Sequence, residues 1–147
     1  QIDVFGDYND LDYRKSLMKM IKKLNLDSQI KFKGFKMFEE IIYSDYSVYI
    51  HTSKSPEPFG RTIIENMLVE IPVCATSMGG VLDIITHDDN GILYDYKNYQ
   101  TLIPYLFKFK NNREYKEKII FNSKKNILEK FSGNLQIKTL EKIYESI

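Results

Sequence analysis

The chain contains one cysteine and two histidines among its 147 residues. A single cysteine, Cys74, excludes an internal disulfide and a metal site built from several cysteines. Because it lies in the apolar run of residues 71–75, we interpret it as a small buried hydrophobic residue rather than a nucleophile. His51 and His87 are too few for a histidine triad around a metal ion. The sequence therefore predicts neither a metal centre nor another cofactor.

An excess of charge of either sign is also missing, because 21 lysines and arginines nearly balance 20 aspartates and glutamates. A nucleic-acid-binding surface needs a clustered basic excess, so nucleic acid is not an expected partner. Long apolar runs are absent too, and no stretch approaches the ~18 residues that span a bilayer. No signal-peptide pattern opens the sequence. We therefore expect a cytoplasmic location, with the inner face of the membrane as an alternative.

What the sequence does contain is an alternation of strand-like and helix-like segments in a composition typical of a globular protein, 43% hydrophobic and 28% charged. The order predicts βαβ units around a parallel sheet, and therefore a single α/β domain over residues 1–147. Strands are predicted at 2–5, 30–33, 48–51, 73–75 and 92–94, and helices at about 11–25, around 38–42, after residue 60, around 82–85 and from 98 onward.

Glycines and one polar loop follow the predicted strands. Gly6, Gly34, the 53–60 loop and the Gly79-Gly80 pair each come after a strand. Ligands of such sheets bind at the carboxyl ends of the strands, so we expect these segments to gather on one edge.

Two carboxylates flank a predicted helix start within residues 53–65. Glu57 stands between two prolines, which hold the loop extended, and Glu65 follows eight positions later in the helix. A helix N-terminus presents unpaired N–H groups and a partial positive charge that suit a phosphate, while carboxylates suit sugar hydroxyls. Gly60 lacks a Cβ and lets the backbone approach a ligand closely. These features predict a nucleotide-sugar site; the alternative is a loop charge and an ordinary surface glutamate.

The 53–65 segment resembles the pS..pEpfG....E signature of the retaining GT-B glycosyltransferases of group 1, the GT4-like enzymes. The resemblance covers nearly the whole chain, and the ordered set of segments makes it more specific than any one motif. Further similar segments, in the family's order, are residues 2–7, 30–35, 43–53, 71–73, 79–85 and 90–93.

The resemblance implies a Rossmann-like, doubly wound parallel sheet that forms the C-terminal, donor-binding half of a GT-B fold. In such domains the first glutamate, here Glu57, is the catalytic residue that contacts the sugar hydroxyls, and the second, here Glu65, accepts hydrogen bonds from the ribose. Arg61 stands where the family carries an aliphatic residue, so a helix-surface role is its alternative. The other implied positions are Gly6, Phe59, Gly60, Arg61, Thr62, Ile63 and Ile64 for the sugar and phosphates, and Gly34 and Phe35 beside the base.

The resemblance also implies the reaction. A sugar passes from a nucleotide sugar, with a UDP-sugar favoured, to an acceptor such as a glycan or lipid-linked glycan, with retention of configuration and without a metal. We expect the acceptor-binding domain, the first strand and a Gly-Arg…Lys pair of cations to precede Gln1. The chain alone is then expected to bind donor but to transfer sugar poorly or not at all. Peripheral membrane association of the full enzyme is a further expectation.

Other functions stay open at this point. A non-catalytic Rossmann-like module for interaction or nucleotide binding would keep the fold without the chemistry, although the intact pair of glutamates argues against it. A dinucleotide-dependent enzyme is disfavoured because Gly6 stands alone after the first strand, without a G-x-G-x-x-G pattern. The chain also departs from the group 1 family at Tyr8, where that family has a second glycine. On the last predicted helix, we expect Tyr144 and Ile147 to be exposed.

Overall fold

The computed structural model of the chain describes residues 1–7 and 10–145, apart from the side chains of residues 134, 136, 138 and 139. Tyr8 and Ile147, both named above, lie outside the described residues. The chain divides into two compact units, Gln1–Ile42 and Tyr43–Ile147, which are described in turn. The single domain expected over residues 1–147 stays a prediction.

The first unit is one βαβ unit. Strand β1 (Ile2–Phe5) and strand β2 (Ile30–Gly34) pair in parallel, and helix α1 (Leu11–Lys23) connects them. The Asp10 carboxylate caps α1 by accepting the N–H groups of the second and third helical residues at 3.1 and 2.8 Å. The helix ends two residues before the predicted boundary, because Asn25 has a left-handed φ of 55°.

The helix predicted around residues 38–42 is wrong in its extent. The structure forms only a 3-10 turn at Phe38–Glu40. Ile41 already has extended backbone angles, φ −96° and ψ 125°, which no helix can continue through. Two adjacent isoleucines gave the segment an apolar spacing that also fits an irregular connection.

The second unit is a three-stranded parallel sheet in the order β3-β4-β5, wrapped by helices. Every predicted strand is found within one residue of its predicted ends, and the α/β class is confirmed. The strands and connecting helices of the second unit are β3 (Tyr49–His51), α2 (Arg61–Leu68), β4 (Val73–Thr76), α3 (Val81–Ile84) and β5 (Ile92–Tyr94). Short 3-10 segments lie at Tyr43–Asp45 and Tyr96–Leu102, and helices α4 (Ile103–Asn111), α5 (Arg113–Lys130) and α6 (Gly133–Glu145) follow.

The central strand β4 is buried along its whole length, and its side chains alternate between two hydrophobic clusters. Val73 and Ala75 pack on one face, with side chains from α2, α3 and α5. Cys74 packs on the other, with side chains from β5, α4 and α5. Helices therefore cover both faces of this sheet, as a doubly wound arrangement requires.

Cys74 is fully buried, as the sequence predicted. Burial raises the pKa of its thiol to about 12, so the group stays protonated near neutral pH and is no nucleophile there. Among the described residues, no helix has the length and apolar character that a membrane crossing requires. Within that same part of the chain, no three His, Cys, Asp or Glu side chains cluster as a metal site would need.

Candidate functional site

Gly6 and Gly34, two of the predicted site residues, lie together at the carboxyl ends of β1 and β2 in the first unit. The Gly6 N–H donates to the Gly34 carbonyl at 3.0 Å. Both have positive φ, 142° and 74°, a region that L side chains rarely adopt. Phe35 follows with 67% of its surface exposed. Gly6, Gly34 and Phe35 therefore form one corner of this unit, in which the two glycines are half-buried and Phe35 is exposed.

In the second unit, the loop that carries Glu57 is tied to the Gly79-Gly80 turn. The Gly80 N–H donates to the Glu57 carbonyl at 2.6 Å, and Glu57 and Gly79 form an isolated parallel bridge. Gly79 has φ 66°, and a Cβ there would lie 2.5 Å from the Glu57 carbonyl oxygen. Only glycine allows the two segments to approach so closely. The loops after β3 and β4 therefore meet, as predicted from the positions of the strands.

The Glu57 carboxylate is held at both oxygens. Its Oε1 accepts the Gly60 N–H at 3.1 Å. Its Oε2 lies 3.4 Å from Nε2 of His51, the last residue of β3. The Glu57 side chain is 30% exposed, so a ligand can still reach it. The carboxylate therefore stands between the end of a strand and the start of α2, at the carboxyl edge of the sheet.

Gly60 precedes α2 in a left-handed conformation, φ 92° and ψ 42°. It is buried, and a Cβ would lie 3.1 and 3.2 Å from the terminal methyl carbons of Ile84 and Ile63. Conformation and packing thus account for the glycine. The close approach of its backbone to a ligand, predicted from the missing Cβ, is not required to explain it.

The amides at the start of α2 are not equally available to a phosphate. The N–H groups of Ile63 and Ile64 both donate to the Gly60 carbonyl, at 3.0 and 3.2 Å, and the Ile63 side chain is fully buried. These two amides are therefore already engaged within the helix, and their predicted contact with a phosphate stays a prediction. The amides of Arg61 and Thr62, the first two helical residues, lie where a helix start presents its N–H groups to a ligand.

Glu65, the predicted ribose ligand, faces one turn back along α2. Its Oε1 lies 2.6 Å from Nε of Arg61. The glutamate side chain is 22% exposed and the arginine side chain 80% exposed. Arg61, one of the residues predicted to bind the sugar and phosphates, directs its guanidinium at Glu65 on the same helix, and both of its predicted roles stay predictions.

Tyr49 of β3 lies near enough to both carboxylates for their charges to act on its hydroxyl, and the sequence analysis does not single it out. Its hydroxyl donates to the Thr62 Oγ1 at 3.0 Å. Burial raises the pKa of the Tyr49 phenol, the Thr62 hydrogen bond opposes that rise, and the negative charges of Glu57 and Glu65 add to it. Both carboxylates therefore act on the same hydroxyl group. The one available signal was a tyrosine in the strand that leads into the site loop.

Phe59 completes the described part of the site. Its ring meets that of Phe131 edge-on, with 6.0 Å between ring centroids, and half of its surface (52%) stays exposed. The exposed part offers an apolar face beside the Glu57 carboxylate loop. An apolar ring next to hydrogen-bonding carboxylates is the kind of surface that recognises a sugar.

The arrangement agrees with one family. The sequence model of the glycosyl transferases group 1 matches residues 1–126. The chain belongs to the group 1 glycosyltransferase family. The glutamates, the Phe59-Gly60 pair and the glycine turn all lie inside the matched range.

Relatives of this glycosyltransferase domain include one archaeal and one bacterial protein. An uncharacterized glycosyltransferase of Methanocaldococcus jannaschii is 29% identical over 136 residues, which cover 91% of this chain and 35% of the relative. The 2-deoxystreptamine N-acetyl-D-glucosaminyltransferase of Niallia circulans is 27% identical over 124 residues, which cover 80% of this chain and 31% of that enzyme. The chain thus spans about a third of the length of these relatives.

Solved structures give the same assignment. Anabaena HepE, crystallised with UDP-glucose, superposes on 99% of this chain with a TM-score of 0.87 and 28% identity, and the chain covers 40% of that protein. A glycosyltransferase of Rickettsia africae superposes on 98% with a TM-score of 0.85 and 26% identity, and 39% of its own chain is covered. The fold of this glycosyltransferase domain is therefore the Rossmann-like C-terminal domain of GT-B enzymes.

Proposed function

We propose that this chain is the donor-binding domain of a retaining glycosyltransferase, and that its donor is a UDP-sugar. The observation that carries the proposal is the likeness, over 99% of the chain, to Anabaena HepE, which was solved with UDP-glucose, with UDP, and with UDP and glucose. The paired carboxylates, the exposed aromatic ring and the helix start described above supply the groups that such a donor needs.

In this proposal, each group of the donor has a partner. The Glu57 carboxylate accepts hydrogen bonds from the sugar hydroxyls, with the exposed face of Phe59 beside it. The amides of Arg61 and Thr62 at the start of α2 face the diphosphate, where the helix dipole adds a partial positive charge. Glu65 accepts from the ribose hydroxyls. Gly6, Gly34 and Phe35 are assigned to the phosphates and base.

The leaving diphosphate is proposed to be stabilised without a metal. In this proposal the positive end of α2 faces the diphosphate, on which negative charge grows as the sugar departs, and this lowers the barrier to transfer.

Retention of configuration is tested with the enzyme that carries this domain. Proton NMR of the first-formed glycoside should report the anomer of the donor, and the opposite anomer would contradict retention.

The acceptor is proposed to bind outside this chain, which covers about a third of its relatives. A glycan or a lipid-linked glycan is the acceptor class we favour, with the enzyme in the cytoplasm and, for a lipid-linked acceptor, at the inner face of the membrane. Transfer by the 147-residue chain alone should be weak or absent.

Donor binding is tested by titrating the chain with UDP-glucose, UDP, ADP and GDP and following amide resonances and thermal stability. UDP-glucose and UDP should move resonances in residues 57–65. Glu65→Gln should weaken UDP binding by about 1.5–3 kcal/mol, because a charged acceptor is lost.

Glu117→Gln is the matched control for this titration. Glu117 also pairs with an arginine four residues before it in a helix, Arg113, with the same 2.6 Å between Nε and Oε1. Its side chain is more exposed, 60% against 22% for Glu65, and it should leave nucleotide affinity unchanged. A chain that shows no response to any of the nucleotides at millimolar concentration would contradict the proposed function.

A further inference from the structure

We propose that His51 is a positioning residue for Glu57, which sets the orientation of the carboxylate assigned to the donor sugar. The importance of that orientation for binding rests on the proposed function. His51 ends β3, and the contacts of its backbone, its Nε2 and its Nδ1 each bear on this role.

The backbone of His51 is held by the neighbouring strand β4 and by a side chain of the next strand, β5. His51 lies opposite Ala75 in the parallel ladder of β3 and β4. Its carbonyl accepts the hydroxyl of Tyr94, on β5, at 2.9 Å. The side chain is 12% exposed. Because the backbone of His51 is held in the sheet, its ring keeps its position when the Glu57 loop moves. The ring can therefore fix the orientation of the Glu57 side chain that it faces.

That side chain is Glu57. The Gly60 N–H holds Oε1 at 3.1 Å, and His51 Nε2 faces Oε2 at 3.4 Å. Two contacts on the two oxygens define the plane of the carboxylate, whereas one contact would leave it free to rotate. The 3.4 Å distance is longer than an ordinary N–H···O hydrogen bond. A carboxylate oxygen has two lone pairs, so Oε2 can accept a further hydrogen bond from a sugar hydroxyl.

The surroundings of the other ring nitrogen, Nδ1, indicate which nitrogen of His51 carries the proton. Nδ1 of His51 is buried and has no hydrogen-bond partner among the described residues. A proton on Nδ1 would be a buried N–H without an acceptor, which is costly. The proton of the neutral ring therefore sits on Nε2 and faces the negatively charged Glu57 oxygen. The position of Nε2 opposite Oε2 and the lack of an acceptor at Nδ1 both direct the N–H of His51 at this carboxylate.

The role is tested without any ligand through the amide resonance of Gly60, whose N–H is bonded to Glu57. Glu57→Gln gives the reference position for a lost carboxylate. His51→Phe keeps a planar ring but removes the donor, and should move the Gly60 resonance towards that reference. His51→Gln carries an amide NH₂ that can replace Nε2, and should restore the original position.

UDP-glucose affinity provides the second readout. His51→Phe should raise the dissociation constant about tenfold, the scale of a lost interaction with a charged group, and His51→Gln should recover most of it. His87→Phe is the control histidine. It removes contacts with the Leu93 N–H and the Tyr105 hydroxyl, so it should lower stability but leave the Gly60 resonance and the affinity unchanged.

An unmoved Gly60 resonance in His51→Phe, alongside a moved one in Glu57→Gln, would overturn the role of His51. Failure of the unsubstituted chain to bind UDP-glucose would instead overturn the proposed function. The Gly60 measurement needs no ligand, so the two failures are distinguishable.

Discussion

The two parallel sheets of this chain have short strands and the same type of hydrogen-bonded ladder, yet they differ in burial. All four residues of β4 are buried, and β5 is buried at both of its ends. In β1 and β2 every residue as a whole is exposed or half-buried, and Ile21 is the single buried residue within residues 1–7 and 10–42. Strand pairing therefore does not explain why the two sheets differ in burial. The helices that cover both faces of the second sheet explain it.

The difference is already visible in residue types. β4 reads Val-Cys-Ala-Thr, without a charged side chain, whereas β2 reads Ile-Lys-Phe-Lys-Gly and alternates apolar and charged residues. An alternating strand buries one face at most, and a continuous apolar strand can bury both. We therefore expect the second unit to take most of its stability from its core, and substitutions in it to have the larger effects.

The largest effect is expected from Ile63→Ala, which opens a cavity under β4. Ile63 is fully buried in the cluster beside β4, and such truncations cost about 2–5 kcal/mol of unfolding free energy. Ile21→Ala, at the 8% exposed counterpart in the first unit, should cost less. Urea denaturation followed by circular dichroism measures both. Equal losses would remove the distinction between the two sheets.

The next largest effect is expected from Gly79→Ala, which should lower the free energy of unfolding by about 2–3 kcal/mol. The new Cβ would lie 2.5 Å from the Glu57 carbonyl oxygen at a residue with φ 66°, so steric overlap adds to backbone strain. Gly133→Ala is the matched control, because a Cβ at that helical position meets nothing within 4 Å. The control should be neutral or slightly stabilising. A Gly79→Ala chain as stable as the original would show that the Glu57 loop is not tightly tied.

Raising the pH should destabilise the second unit through Cys74. The thiol has a pKa of about 12 when folded against 9.0 as its ordinary value, so between these values the unfolded chain loses a proton that the folded chain keeps. Stability from this group is complete below pH 9 and falls above it, by about 1.4 kcal/mol at pH 10.

Cys74→Ala isolates this contribution. Denaturation from pH 7 to pH 10 should show a steeper decline for the original chain than for the variant. Burial raises the pKa of Tyr94 to about 12, with a smaller contribution from Cys74, so folded Tyr94 keeps its proton through this pH range in the original chain and contributes little to the comparison. Parallel pH profiles would mean that Cys74 ionises as easily in the folded chain as in the unfolded one.

The smallest effect is expected from Lys33→Ala in the exposed sheet. Lys33 Nζ lies 3.4 Å from Oδ2 of Asp3 across β1 and β2; the lysine side chain is 43% exposed and the aspartate side chain 7%. Solvent reaches the lysine, and Gln1 Nε2 still donates to the Asp3 carboxylate at 2.9 Å, so the loss should be about 1 kcal/mol. Lys31→Ala, on the same face of β2, is the control. A Lys33→Ala loss as large as that of Ile63→Ala would contradict the view that the first sheet gains little from individual side chains.

Much of the fold could be predicted because apolar periodicity is a local property. The strands and the first two long helices were placed closely, and the glycine turns were found where strands end. The sequence did not predict the division of the C-terminal region into α4 and α5. Asn112 ends one helix with extended angles and caps the next through the Tyr115 N–H, a change of direction that apolar spacing does not record.

The candidate site was predicted in part, for a similar reason. The spacing of Glu57, Gly60 and Glu65 lies within one segment and can be read directly from the sequence. The contacts of Tyr49 with Thr62 and of His51 with Glu57 join a strand to the loop and helix that follow, so they depend on how the segments pack.

The sequence by itself determined the α/β class, the family resemblance and the two glutamates, since each depends on residue types at short spacing. The tertiary structure decided which groups remain available. It placed Gly79 against the Glu57 backbone, engaged the Ile63 and Ile64 amides with the Gly60 carbonyl and paired Arg61 with Glu65. Distances between non-neighbouring atoms decide whether a donor or acceptor is already satisfied, and those distances exist only once the chain has packed.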